Sequence, residues 1–475
     1  MTPLHTSCPR SGPFFLILLV GSLAGGAAAQ EEQEVFRLPG RAELVTATES
    51  GRVDLCLACH QERPDRKHGR EVLGCAACHL GNPLAGDAPR AHRGMVRNPG
   101  ELRYVERTCG QAGCHPTQAE WVRNSLMATN RGIISTLRFY WEETPDLNEN
   151  ISVEQLKKTG KNSLALDYYR KLCGSCHLWV ERGTLPGFLT RKGGGCTACH
   201  NTPAGQDVAK KQRHPSLTRD VPMENCVRCH NRSGRIGLSY QGLYESEGYG
   251  TPFEEGDFTS QQLEDGRFYS TLPADVHHQG GLVCVDCHTQ KETMGDGKHY
   301  AHFEDQLEVQ CRTCHGDRET LSAIAEAAKS PAPAGIQTDA GSAGNAASPP
   351  PKLQVEAKDG EFFLAGRIDK KLHPLKAPDP VACGHETHRR LSCQACHSTW
   401  EPQCYGCHVR MDRSRTQLDK VSVQETPGRW QEFRSFIRHE CPPLGIMEPR
   451  KEQPGGLDDK ARAQEGGEVV VLAPG

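Results

Sequence analysis

The chain has 475 residues, enough for two or three ordinary domains, and a formal net charge of −3 that gives no electrostatic reason to expect a nucleic-acid partner. Only 36% of its residues are hydrophobic and 6% aromatic, against 49 Gly and 31 Pro. That is too little apolar surface to fill a conventional core of this size, so another apolar material fills the interior or parts of the chain stay loose.

Residues 1–29 have the layout of a secretory signal peptide. A short leading segment to Gly12 carries one Arg, an apolar run follows from Phe14 to Ala24, and Ala27-Ala28-Ala29 stands before Gln30 as a small-residue cleavage site. The run is too short for a spanning helix, and an uncleaved N-terminal anchor is the alternative. No later stretch is apolar enough to cross a bilayer. The expectation is an exported chain, in the periplasm or at the outer cell surface, with no transmembrane segment after signal removal.

Twenty of the 23 cysteines fall into ten repeats of one pattern. Site 1 is Cys56, Cys59, His60, and site 2 is Cys75, Cys78, His79. Site 3 is irregular, because Cys109 and Cys114 enclose the four residues GQAG before His115. Site 4 is Cys173, Cys176, His177; site 5 is Cys196, Cys199, His200; site 6 is Cys226, Cys229, His230. Site 7 is Cys284, Cys287, His288, and site 8 is Cys311, Cys314, His315. Sites 9 and 10 stand almost back to back as Cys393, Cys396, His397 and Cys404, Cys407, His408.

C-x-x-C-H is the attachment signature of c-type haem: two thiols add to the haem vinyl groups and the next His binds iron. This composition would yield about 0.05 such strings by chance, so nine regular copies have a cause. Zinc sites and disulfide frameworks use paired cysteines but do not require His after every second one. Site 3, with its longer loop, is read as a bulged variant, the alternative being a disulfide. Ten covalently attached haem c groups are therefore expected.

Between the sites, Thr117 is placed to cap a helix running toward Met127, with Pro116 just before it. A second helix is expected from Ser152 to Lys171, interrupted by Gly160. A third should run from Asp317 to Lys329 with Leu321, Ile324 and Ala328 on one face. Residues 330–352 have linker composition, so an eight-haem region (30–329) and a two-haem region (353–447) are expected on either side of it. The second region should contain a helix around Arg429 to Arg438, and residues 448–475 should form a loose tail.

Outside the sites and the signal stand eleven histidines: His68, His92, His214, His277, His278, His299, His302, His373, His385, His388 and His439. Eleven candidates for ten distal positions point to mostly bis-histidine, six-coordinate irons suited to passing electrons. The six Met after the initiator recur at no fixed offset from a site. His277 and His278 precede site 7, and His385 and His388 precede site 9; a histidine so close upstream can serve a neighbouring iron, so no distal pairing follows. Cys383 and Cys441 belong to no site, and could form a disulfide, stay free or bind iron.

The chain resembles the large multihaem c-type cytochromes of bacteria that respire metals and other extracellular acceptors. The resemblance rests on the sites from Cys56 to His408, with HNRSGRIGLSYQG after site 6 and SCQACHSTWEPQCYGCH at the end similar to segments of decahaem-scale members. It implies irregular loops and short α-helices wrapped around a row of closely packed haems, with little β-structure. It also implies electron transport between redox partner proteins. Two alternatives stay open. One is a multihaem oxidoreductase acting on a small nitrogen or sulfur oxyanion at an iron with an open position. The other is a subunit of a polymeric cytochrome filament.

Overall fold

The computed structural model describes residues 48–49, 51–60, 62, 65, 67–202, 214–231, 236–245, 261–263, 268–271, 273–329, 351–397, 403–404, 407–434, 437–438, 444–447 and 468–471. The signal peptide, residues 330–350 of the linker, His439, Cys441 and nearly all of 448–475 lie outside them. No helix among the described residues is long and apolar enough to cross a membrane.

Within residues 45–475, which form one compact unit, short helices alternate with turns, and small antiparallel sheets are added late in the chain. Pro116 opens a helix to Asn124 at the position where a missing amide costs nothing. It stops at Ser125, whose backbone is extended, and a further turn Leu126–Thr129 ends on Asn130 at φ 50°. The next helix, Arg131–Tyr140, was not legible in the sequence. Its buried Arg138 ion-pairs with Glu143 and Glu149.

The stretch expected as one interrupted helix is two. Ser152 and Gln155 form a reciprocal capping box at the start of Val153–Thr159, and Gly160 closes it at φ 62°, a conformation glycine adopts freely. Ser163 then caps Leu164–Tyr168, which runs on into a π-helical turn, Tyr169–Cys173. That turn delivers the first thiol of site 4.

Two apolar clusters anchor this framework. Ile134, Ile151, Val153, Leu156, Leu166 and Tyr169 form one, together with Val421 from far along the chain. The helix Arg318–Lys329 forms the other, burying Leu321, Ile324 and Ala325 against a three-stranded meander of Val355–Lys358, Glu361–Ala365 and Leu372–Pro374. Residues on the two sides of the linker thus pack on each other.

The segment expected as a helix around Arg429 to Arg438 is a strand instead. Gln424–Arg434 pairs antiparallel with Cys407–Asp419, with Met411 opposite Trp430 and a register shift between Asp412 and Thr416. Burial alternates there: Gly428 and Trp430 are inward and Arg429 is exposed, the period of a half-buried strand. Tertiary contacts select that period. Trp430 packs on Trp141 and Tyr168 at 5.6 and 5.2 Å and donates its indole N–H to Asp167 at 2.8 Å. Arg170 ion-pairs with Asp419 at 3.0 Å, both nearly inaccessible to solvent. The hairpin and the meander make the fold mixed, with more β-structure than the sequence suggested.

Candidate functional site

Each C-x-x-C-H places its two cysteines three apart and its histidine four after the first, spacings that share one face of a helical turn. The chain uses this at most sites. Short helices cover Cys56–Cys59, Ala76–His79, Cys196–His200, Cys284–Cys287, Cys311–His315 and Gln394–His397. At site 3 the four-residue loop cannot close as such a turn, yet the amide of His115 still donates to the carbonyl of Cys109 at 2.9 Å. His115 also precedes the helix that begins at Pro116, so the bulged loop ends on a rigid element.

These faces converge. A cavity of about 4820 Å³ runs through the molecule, lined by residues of all nine sites whose side chains are described. A pocket for one small molecule is typically about 300–1,000 Å³, so this space is several such pockets run together. His68, His92, His214, His277, His299, His302 and His373 also line it. At site 10 the backbone of Cys404 lies in the short strand Gln403–Cys404, and Cys407 and His408 begin the long hairpin; their side chains lie outside the described residues.

The histidines meet in pairs that join a site to a residue outside the sites. His60 faces His92 with ring centroids 6.0 Å apart, His115 faces His68 at 6.3 Å, His79 faces His214 at 5.9 Å and His315 faces His277 at 6.0 Å. The rings are tilted or perpendicular, an arrangement aromatic packing also permits. Another arithmetic fits as well. Two imidazoles on opposite sides of one metal, each bonded at about 2.0 Å through a ring of radius about 1.1 Å, have centroids about 6.2 Å apart. All four pairs fall at that separation.

Hydrogen bonding orients the rings consistently. Nδ1 of His79 is 2.8 Å from the Val96 carbonyl, that of His200 is 2.8 Å from the Thr218 carbonyl, and that of His315 is 2.7 Å from the Lys376 carbonyl. Nδ1 of His214 meets the Pro215 carbonyl, and that of His388 the Ala382 carbonyl. Carboxylates do the same for His68 through Asp65, His277 through Asp275 and His288 through Glu292, at 3.1, 2.8 and 2.7 Å. A proton held at Nδ1 leaves the Nε2 lone pair as the metal-binding position, which is how ligating histidines are usually fixed. His302 and His373 differ, since each engages a neighbour through Nε2, Asn148 at 3.1 Å and Asp369 at 3.2 Å. His278 packs against Tyr240, and His385 and His388 are exposed and packed on each other, outside the cavity wall. Among the described residues no three His, Cys, Asp or Glu side chains converge as a metal-holding cluster.

Burial tunes these groups. His177, 4% exposed, has neither ring nitrogen hydrogen-bonded, and burial drives it down to about 3, so its imidazole is neutral. Burial likewise lowers His79 and His115. The hydrogen bond to Asp275 raises His277, and that to Glu292 raises His288. Burial pushes the thiols of Cys75 and Cys78 up to about 11. Cys176 is lowered instead, by its hydrogen bond with Cys229 and by the Lys192 ammonium, 3.0 Å from its sulfur.

Sequence reading missed the carboxylates behind the histidines, although Glu292 stands one helical turn after His288, a spacing visible in the chain. It also missed Asp54, which is 2% exposed and has no sequence signature. Comparison with protein-family models and with solved structures finds no match to this chain.

Proposed function

We propose that this chain is an exported decahaem c-type cytochrome that carries electrons along a row of closely spaced, mostly bis-histidine haems between redox partner proteins. The observation that carries the reading is the set of four histidine pairs, each joining a site to a residue outside the sites, at 5.9–6.3 Å around one continuous cavity. An iron in porphyrin already has four nitrogen ligands, so two facing imidazoles complete it, and a cluster of three protein ligands is not needed.

The donor set fits the group. The cysteine pairs from Cys56 to Cys396, with Cys404 and Cys407, would hold it covalently. The histidine ending each site would bind from one side, and His92, His214, His68 and His277 would bind from the other at sites 1, 2, 3 and 8. The buried, unpartnered ring of His177 fits the same use, since an imidazole taken from water needs a partner for its lone pair. When bound, haem supplies a one-electron couple. The residues do the rest. Asp65, Asp275 and Glu292 hold the Nδ1 protons of His68, His277 and His288 and raise the basicity of those rings. Lys192 places a cation beside site 4.

Electron paramagnetic resonance of the ferric protein tests this. A predominantly low-spin spectrum is the expected result. A substantial high-spin fraction would transfer weight to the oxidoreductase reading, because substrate needs an open iron position.

A further inference from the structure

Some carboxylates here bond at both ends, and the two ends serve different sites. Asp54 does this for backbone alone: it accepts the amide of Cys56 in site 1 at 3.0 Å and those of Cys75 and Ala76 in site 2 at 2.7 and 2.9 Å. Glu292 and Asp65 differ from it, because one end of each holds a histidine ring.

Glu292 lies in the short helix Gln290–Met294, one turn after His288, and its side chain is 3% exposed. Its Oε2 is 2.7 Å from Nδ1 of His288 in site 7. Its Oε1 accepts the amides of Glu308 and Val309, both at 2.7 Å. Those two residues lead directly into Cys311 of site 8. The side-chain amide of Gln306 joins the same two segments, donating to the carbonyls of Lys291 and Glu292 at 2.6 and 2.9 Å.

Asp65 repeats the arrangement across a longer gap in the chain. Its carboxylate is 3.1 Å from Nδ1 of His68, the ring that faces His115 of site 3. Its Oδ2 also accepts the amide of Leu217 at 3.4 Å. Leu217 stands opposite Asn201 in an antiparallel bridge that is closed by the flanking residues, Thr218 donating to His200 at 2.8 Å and Thr202 to Ser216 at 2.9 Å. In such a pair the central amide points away from the partner strand, here toward Asp65. The segment that carries Leu217 serves two more sites. His214 faces His79 of site 2, and the Thr218 carbonyl is 2.8 Å from Nδ1 of His200 in site 5.

We infer that Asp65 and Glu292 are two-ended positioning residues: each fixes an axial histidine, at site 3 and site 7, and is itself fixed by backbone that belongs to a neighbouring site. The inference rests on the haem reading above. A carboxylate behind an imidazole strengthens it as a donor and places negative charge near the iron, and both effects favour the oxidised form. The potentials of sites 3 and 7 then depend on chain segments that touch neither ring.

Potentiometric titration of the haem-loaded protein, followed by electron paramagnetic resonance, tests this. Glu292→Gln and Asp65→Asn keep the side-chain shape and remove the charge, so each should raise one midpoint potential and leave the others in place. Leu217→Pro is the decisive variant. Residue 217 contacts neither ring through its amide, and that amide lies outside the bridge, so proline deletes the bond to Asp65 and no bond of the bridge. The midpoint it moves should be the one moved by Asp65→Asn, recognised by the low-spin signal that His68→Ala abolishes. Should the proline variant fail to fold, hydrogen exchange of the Leu217 amide reads the same bond, and Asp65→Ala should speed it. An unchanged titration in Leu217→Pro, a shift at another couple, or unchanged exchange in Asp65→Ala would overturn the two-ended role. A parent protein without haem absorbance would overturn the haem reading instead.

Discussion

Replacing His92 with alanine removes one of two imidazoles whose rings stand 6.0 Å apart, and leaves His60 in place. His92 is exposed, so the truncation should cost the fold no more than about 0.5 kcal/mol, the usual range for surface changes. His60 keeps its own carboxylate, Glu62, at 3.4 Å, so its ring orientation survives. The perturbation is therefore chemical rather than structural. If the pair shares one iron, that iron loses its sixth ligand, and with ten irons the high-spin share of the ferric signal should rise by about one tenth. Quantitative electron paramagnetic resonance reads that fraction, and thermal unfolding checks that the fold is intact. His214→Ala and His277→Ala should each give the same increment, and the His92/His214 double variant about twice it, since these are separate pairs. A spectrum unchanged in all three variants would show that the facing rings are ordinary aromatic contacts, and the ligand pairing would be wrong.

Asp419→Ala should destabilise the protein by about 3 kcal/mol, because it strands the buried guanidinium of Arg170 and removes the acceptor for the amides of Val421 and Ser422; a denaturant midpoint within error of the parent would refute this. Asp54→Ala should lose about 3 kcal/mol of local stability, since three amides give up a charged acceptor. Hydrogen exchange at Cys56, Cys75 and Ala76 reads this, and undiminished protection would count against the clamp. Changing both Cys109 and Cys114 to alanine should lower the intact mass by one haem, whereas an unchanged mass would mean site 3 never carried one.

How much of this was legible in the sequence depends on how local the cause is. The sites are local by chemistry, with Cys, Cys and His on one helical turn, so their positions could be read outright. The helices Val153–Thr159 and Arg318–Lys329 were also readable, because caps and apolar periodicity lie within a few residues. The hairpin was not. Arg429-Trp430-Gln431-Glu432-Phe433-Arg434 reads equally well with either period, and what decides it is Asp167 and Trp141, more than 250 residues earlier in the chain. The histidines outside the sites fall between these cases. Their number could be counted, but His277 faces site 8 across space although it precedes site 7 in the chain. The amide clamp of Asp54 joins residues about twenty apart, and nothing near that Asp distinguishes it from a surface carboxylate.

In the proposed cytochrome, porphyrin covalently held at ten places supplies the apolar interior this composition lacks. Intact-mass spectrometry of the matured protein, with an absorbance spectrum of the same sample, tests it most directly. A mass equal to the polypeptide plus ten haems and an intense Soret band are expected. A colourless protein with the mass of the bare polypeptide would contradict it.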